Sequence, residues 1–230
     1  MKNNAVIQKG CFDFLKHLAK NNNREWFSQH KQQYTSANNN LIAFAGALLE
    51  EMAKHDHIET ASGRDSLFRI YRDVRFSGSK TPYHTFFSGG FKRATQKLRG
   101  SYYFHIQPGA SFAGGGFWGP EPGDMRRIRQ DIDYNYADWQ KLLTGKTMIK
   151  TFGQLYGEQL ISTPRGYAKD HPAIGLLRYK QFLLRRNFTD EEVCSNNFIK
   201  LLNDIFKKMR PFLNYMSEVL TTDINGVSLL

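Results

Sequence analysis

Long apolar runs are missing from this 230-residue chain, and none approaches the ~20 residues a membrane-spanning helix needs, so no membrane association is expected. Cysteine is almost missing too. Only Cys11 and Cys194 occur, far apart, which excludes a disulfide framework and points to the reducing cytoplasm. The opening residues, Met1 to Leu15, hold no apolar stretch of the kind that makes a secretory signal. No repeat, low-complexity tract or Pro/Ser-rich linker interrupts the sequence, so one globular domain over residues 1–230 is expected. Acidic residues are few beside basic ones, 21 against 32, for a formal net charge of +11. With 40% hydrophobic and 23% charged residues, the composition otherwise matches a globular protein and excludes collagen-like, coiled-coil and disordered classes.

The excess charge is concentrated. Residues 64–105 carry 9 Lys/Arg against 2 Asp/Glu, and residues 165–186 carry 6 against Asp170 alone. Both blocks carry aromatic residues, and the first is rich in them. A field of that sign attracts phosphate or carboxylate, whereas a dispersed charge would only solvate a surface.

Hydrophobic spacing predicts helices first. Phe12, Leu15 and Leu18 mark one that stops at Asn21-Asn22-Asn23, Arg24 to Tyr34 a second, and Leu41 to Met52 a third. The period then changes. Tyr102, Phe104 and Ile106 alternate with Tyr103, His105 and Gln107, and Pro108-Gly109 turns the chain into a returning strand from Ser111 to Trp118. Phe86 to Arg93 reads as a strand before them, and Tyr179 to Arg186 as another after them. Ser66 to Phe76 fits a strand or a helix, with its first half favouring a strand. Pro120 and Pro122 announce a helix through Met125, Ile128, Ile132 and Trp139. Thr189 and Glu192 form a capping box ahead of a long amphipathic helix that Pro211 is expected to kink or divide. The pattern is α+β: a mostly antiparallel sheet with a central meander, covered by N-terminal and C-terminal helices.

Several motifs resemble chemistry without its context. Gly114 to Gly119 satisfies G-x-G-x-x-G, but prolines follow it and no βαβ unit is present, so close backbone packing is the expected role. Thr144-Gly145-Lys146-Thr147 lacks the first glycine of a P-loop, since position 140 is Gln140. His55-Asp56-His57 reads as a solvated helix end, and no Cys/His set has metal-ligand spacing. No metal and no cofactor are expected.

What remains is a basic constellation. Arg69, Arg72 and Arg75 recur every third residue around Asp73, followed by Lys80-Thr81-Pro82-Tyr83-His84 and Ser88-Gly89-Gly90. Arginine recognises carboxylate and phosphate in a planar, bidentate fashion, and glycine lets backbone approach a ligand. In a strand, Arg69 and Arg75 share a face with Tyr71 and Asp73. Arg72 then turns to the apolar face, where its charge requires an acid or a ligand. In a helix the three arginines spread over solvated surface. His84 and His105 are candidates for proton transfer if they converge. Arg178 and Lys180, from the second basic block, are candidates for the same cleft.

These residues also carry a resemblance. Asn22-Asn23-Arg24-Glu25-Trp26-Phe27, the run Phe68 to Ser77, Lys80-Thr81-Pro82-Tyr83, Tyr103 to Gly109, Gly114 to Gly116, Pro120-Glu121-Pro122 and Leu177-Arg178-Tyr179-Lys180 occur in this order. The chain thereby resembles the bacterial and fungal proteins grouped as domain of unknown function 2461. That resemblance implies a soluble single-domain protein and brings no assigned catalytic residue. Two readings of function compete. In the first, a basic pocket binds a phosphate- or carboxylate-bearing small molecule, with or without a reaction. Arg69, Arg72, Arg75, Lys80, Arg178 and Lys180 hold the anion, Tyr83 orients it, and His84 or His105 moves protons. In the second, a nucleic-acid-binding module stacks bases on Tyr102, Phe104 and Phe112. An interaction scaffold using Trp118 or Trp26 is the third class.

Overall fold

A computed structural model of the chain describes residues 5–223 and 226–230; Met1–Asn4, which open the segment read for a leader, and Ile224–Asn225 lie outside the described residues. Helix α1 (Lys9–Lys20) ends at the asparagine cluster, as its composition requires. The side chain of Asn23 then accepts the Trp26 amide at 2.9 Å and starts α2 (Arg24–Gln29). That helix stops earlier than expected. His30 folds its imidazole back, with Nδ1 2.8 Å from the Trp26 carbonyl and its ring stacked on Trp26 at 4.0 Å. Tyr34 consequently belongs to α3 (Lys31–Ala53), which buries Leu41, Phe44, Ala45, Leu48 and Met52. A single turn, α4 (Gly63–Ser66), follows.

The sheet consists of β1 (Phe87–Lys92), β2 (Ser101–Ile106), β3 (Phe112–Phe117) and a later strand, β4 (Phe182–Asn187), in the order β1-β2-β3-β4. It is antiparallel, and the fold is α+β, as the alternation predicts. Before β4 come α5 (Pro122–Tyr134), α6 (Tyr136–Thr144), α7 (Lys146–Phe152) and α8 (Ile174–Leu177). After it come α9 (Asp190–Val193) and α10 (Phe198–Thr221). The capping box of Thr189 and Glu192 is present, but it opens the one-turn α9 and not the long helix. Pro211 lies inside α10 without dividing it.

The chain groups into two units. The first comprises Met1–Lys92, Tyr103–Ala113 and Asn187–Asp204. Its core is aromatic: Phe44 meets Phe104 edge-on at 5.8 Å and stacks on Phe198 at 5.6 Å, with Phe91 5.9 Å from Phe104. Residues 66–76, the ambiguous segment, form neither a helix nor a full strand. They pair with the chain leading into β1 through two antiparallel bridges, Leu67 with Gly89 and Tyr71 with Tyr83. Phe68 donates to Ser88, Arg72 donates to Pro82, and His84 donates to Ile70. The register slips between these bonds, because Arg69 alone faces Thr85, Phe86 and Phe87. This surplus is a bulge in the later strand, and it interrupts the ladder.

The second unit comprises Arg93–Tyr102, Gly114–Arg186 and Ile205–Leu230. Here α5 and α6, expected as one helix, part at Asn135. The Asp131 carboxylate receives the Asn135 amide at 2.7 Å, the Trp139 indole N–H at 2.7 Å and the Tyr215 hydroxyl at 2.9 Å. The glycine run serves packing. A Cβ at Gly115 would stand 2.7 Å from Met209 Sδ, and one at Gly116, where φ is +133°, would stand 2.1 Å from the Phe182 carbonyl oxygen. Among the described residues no helix is long and apolar enough to cross a membrane.

Candidate functional site

The hairpin around the bulge holds the first basic block. Asn22 fixes its base by bracketing the Tyr83 peptide, donating Nδ2 to the carbonyl at 2.9 Å and accepting the amide on Oδ1 at 3.1 Å. Tyr83 itself turns inward. Its ring is 6% exposed and stacks on Phe27 at 4.0 Å and 11°, so it packs α2 against the hairpin.

Arg72 is half-buried at the root of the loop 73–81. Sequence reasoning asks for an acid or a ligand beside it, and the structure supplies neutral oxygens instead. Nη1 meets Thr81 Oγ1 at 2.5 Å, the Thr81 carbonyl at 3.3 Å and Ser79 Oγ at 3.4 Å, while Nη2 donates to Ser77 Oγ at 3.2 Å. Ser79 and Thr81 hydroxyls lie 3.0 Å apart and complete the ring of oxygens. Among the described residues no carboxylate pairs with this guanidinium, and its Nε carries no hydrogen bond. The charge is therefore held in place without being neutralised.

The other bases of the block have other surroundings. Arg75 is exposed and doubly bonded to Asp73, by Nε at 3.0 Å and Nη2 at 2.6 Å, which holds the Asp73 carboxyl below its ordinary range. Lys80 donates to the Val74 carbonyl at 3.2 Å. Arg69 is exposed and, among the described residues, its side chain makes no hydrogen bond and acts on Asp73 through its field. In the second unit Arg93 is 2% exposed and donates to Asn214 at 2.5 Å, and Arg99 pairs with Asp124, so both serve packing there.

His84 points to the same side of the hairpin as Arg72. Burial, and then the neighbouring Arg72 charge, lowers its pKa from the ordinary 6.5. It leads into a row of rings. His84 lies 4.7 Å from Phe86, Phe86 lies 4.1 Å from His105, and His105 stacks on Phe112 at 4.7 Å and 18°. Phe112 continues to Tyr103 at 5.6 Å, and Tyr103 to Phe68 at 6.2 Å. The two histidines singled out from sequence thus both rest on one ring, Phe86. His105 is 8% exposed, its Nδ1 3.1 Å from the Tyr103 hydroxyl and its Nε2 2.8 Å from Gln107 Oε1. It is the inner spacer of the row, and Phe68 at 58% exposure is the outer end.

Tyr102 and Phe104, read as stacking surfaces for bases, are fully buried, whereas Phe112 is only half-buried. The period of two placed Tyr103 and Phe112 opposite the core, but nothing in it revealed Phe86, which is brought round by the bulge. Ser77 and Ser79 escaped notice because a serine-rich turn looks the same with or without an arginine inside it.

Arg178 and Lys180 belong to the second unit. Arg178 donates Nε to the Leu160 carbonyl at 2.7 Å and Nη2 to that of Ile161 at 2.8 Å, and Lys180 pairs with Glu158 at 2.8 Å. A cavity of about 600 Å3 in this unit is lined by neither. It brings Asp131, Asp138, Glu218 and Asp223 toward Arg127, the opposite charge balance to a basic pocket. Among the described residues no group of three His, Cys, Asp or Glu side chains could hold a metal ion.

The fold and the hairpin together define an α+β protein whose sheet carries a basic loop and a row of rings on one side. The chain belongs to the conserved hypothetical protein family DUF2461, whose model matches residues 10–215. No curated protein and no solved structure matches it.

Proposed function

We propose that the loop 72–84 binds a small molecule through a phosphate or carboxylate group. One observation carries this reading: Arg72 is oriented by Ser77, Ser79 and Thr81 yet pairs with no carboxylate among the described residues. A partly buried guanidinium without a counter-charge is costly, and an anion relieves that cost while accepting the open N–H groups. The serine and threonine hydroxyls can turn their lone pairs to Arg72 and their hydrogens to the ligand. Lys80, held by the Val74 carbonyl, adds positive charge to the same loop. His84, kept neutral near pH 7, can accept a proton from a monoanionic phosphate or donate Nε2–H or Nδ1–H to it. Binding is the activity proposed.

Thermal denaturation against inorganic phosphate and a panel of phosphorylated and carboxylated metabolites tests it. A ligand present at 100 times its dissociation constant stabilises by ~2.7 kcal/mol. Arg72→Met should remove that stabilisation while the circular dichroism spectrum stays unchanged. A shift of full size in the variant would place the anion elsewhere.

A further inference from the structure

We propose that the anion bound by Arg72 is the phosphate of a free nucleotide, whose base lies on the ring row of Phe86, Tyr103 and Phe68. This rests on the anion site just described and extends it to the rest of the ligand. Arg72 and Phe68 stand four residues apart, at most about 13 Å of chain. Inorganic phosphate or a short carboxylic acid fills only one end of such a span. A nucleotide has a charged end, a polar sugar and a flat ring in that order. The protein offers a guanidinium, the His84 edge and then rings in the same order.

The rings are arranged as a platform. Successive centroids from His84 to Phe68 are separated by 4.1 to 6.2 Å, so their apolar surface is continuous. The polar edge of His105 is bonded in its own plane by Tyr103 and Gln107, which fixes the ring while its faces support Phe86 and Phe112. Phe68 remains open to solvent, beside Arg69. A base stacked there gains apolar contact with the ring.

Calorimetric titration of the full chain with inorganic phosphate, ribose 5-phosphate, adenosine, the four nucleoside 5′-monophosphates and a ten-residue single-stranded oligonucleotide tests the inference. At least one nucleoside monophosphate should bind tenfold or more tightly than ribose 5-phosphate and than adenosine. Phe68→Ser, at an exposed position, should shrink that ratio several-fold without weakening ribose 5-phosphate. Arg72→Met should weaken every phosphate. Equal affinity for nucleotides and ribose 5-phosphate, both dependent on Arg72, overturns the stacked base and leaves the anion site standing. If neither inorganic phosphate, ribose 5-phosphate nor any nucleotide binds, both readings fall. An oligonucleotide bound a hundredfold tighter than every mononucleotide, with steep salt dependence, overturns the free nucleotide in favour of a strand.

Discussion

Arg72 holds down the basicity of His84, to which it is joined across the hairpin by no direct bond, only by field. Burial is the larger influence on the imidazole and the guanidinium the smaller, and both act in the same direction. Arg72→Met should therefore raise the His84 pKa toward, but not to, its ordinary 6.5. Proton NMR titration of the imidazole reads the change directly. An unchanged value would mean that the two side chains are not neighbours.

The same depression makes stability depend on pH. In the unfolded chain His84 takes up its proton near 6.5, whereas the folded protein takes it up only at lower pH. Protonation accordingly favours unfolding, and the contribution of this residue is intact above 6.5 and lost as the pH falls through the folded value. Urea denaturation at pH 7.5 and 5.5 should show the loss. His84→Gln should reduce it by the share this imidazole carries.

Gly63 and Gly46 face each other across α4 and α3, but they do not tolerate the same change. A Cβ on Gly63 would lie 2.4 Å from both the Gly46 amide nitrogen and the Ile42 carbonyl oxygen, all backbone atoms that cannot step aside. A Cβ on Gly46 meets nothing within 4 Å. Gly63→Ala should cost about 1–3 kcal/mol by overpacking. Gly46→Ala, inside a helix, should add roughly 0.5–1 kcal/mol. Chemical denaturation of the two variants checks both signs.

Cys11 is sealed in the core of the first unit at 1% exposure, and burial pushes its thiol pKa up to about 12. Cys194 is half-buried and also raised. A thiol reagent that attacks thiolates should label the native protein slowly and the urea-unfolded protein at both positions at once. Fast labelling of Cys11 under native conditions would contradict its placement.

Tyr83 separates the two faces of the hairpin. Since its ring packs on Phe27 and its peptide is held by Asn22, Tyr83→Ala should destabilise by about 3 kcal/mol or more. Tyr83→Phe should leave both stability and anion binding nearly unchanged, because the ring and not the hydroxyl is in use. Thermal shift with inorganic phosphate distinguishes the cases.

The meander, the proline-led α5 and the amphipathic α10 could all be read from spacing, because burial of a periodic apolar face decides them. The sheet's inward set could be read as well: Tyr102, Phe104 and Ile106 are the wholly apolar alternates, opposed to Tyr103, His105 and Gln107. Treating Tyr102 and Phe104 as ligand surfaces ignored that contrast. Other features depend on single bonds that no period encodes. Asp131 parts α5 from α6 by gathering three donors, and His30 ends α2 by turning onto Trp26. The surroundings of Arg72 were the hardest to foresee, since hydroxyls several residues away took the place assigned to an acid. Pro211 gives a plain lesson about scale, for one lost amide bond does not outweigh the packing of a 24-residue helix.

The slip of register at Thr85 and Phe86 makes the Phe86 ring an addition to the sheet and not part of its framework, unlike Tyr103, His105 and Phe112 on the strands. Shortening the hairpin by those two residues would let Arg69 and Phe87 become neighbours in an unbroken ladder. Such a trimmed chain should fold at least as readily as the parent while presenting a blank exterior where Phe86 had been, so that folding and recognition could be inherited, lost or redesigned separately.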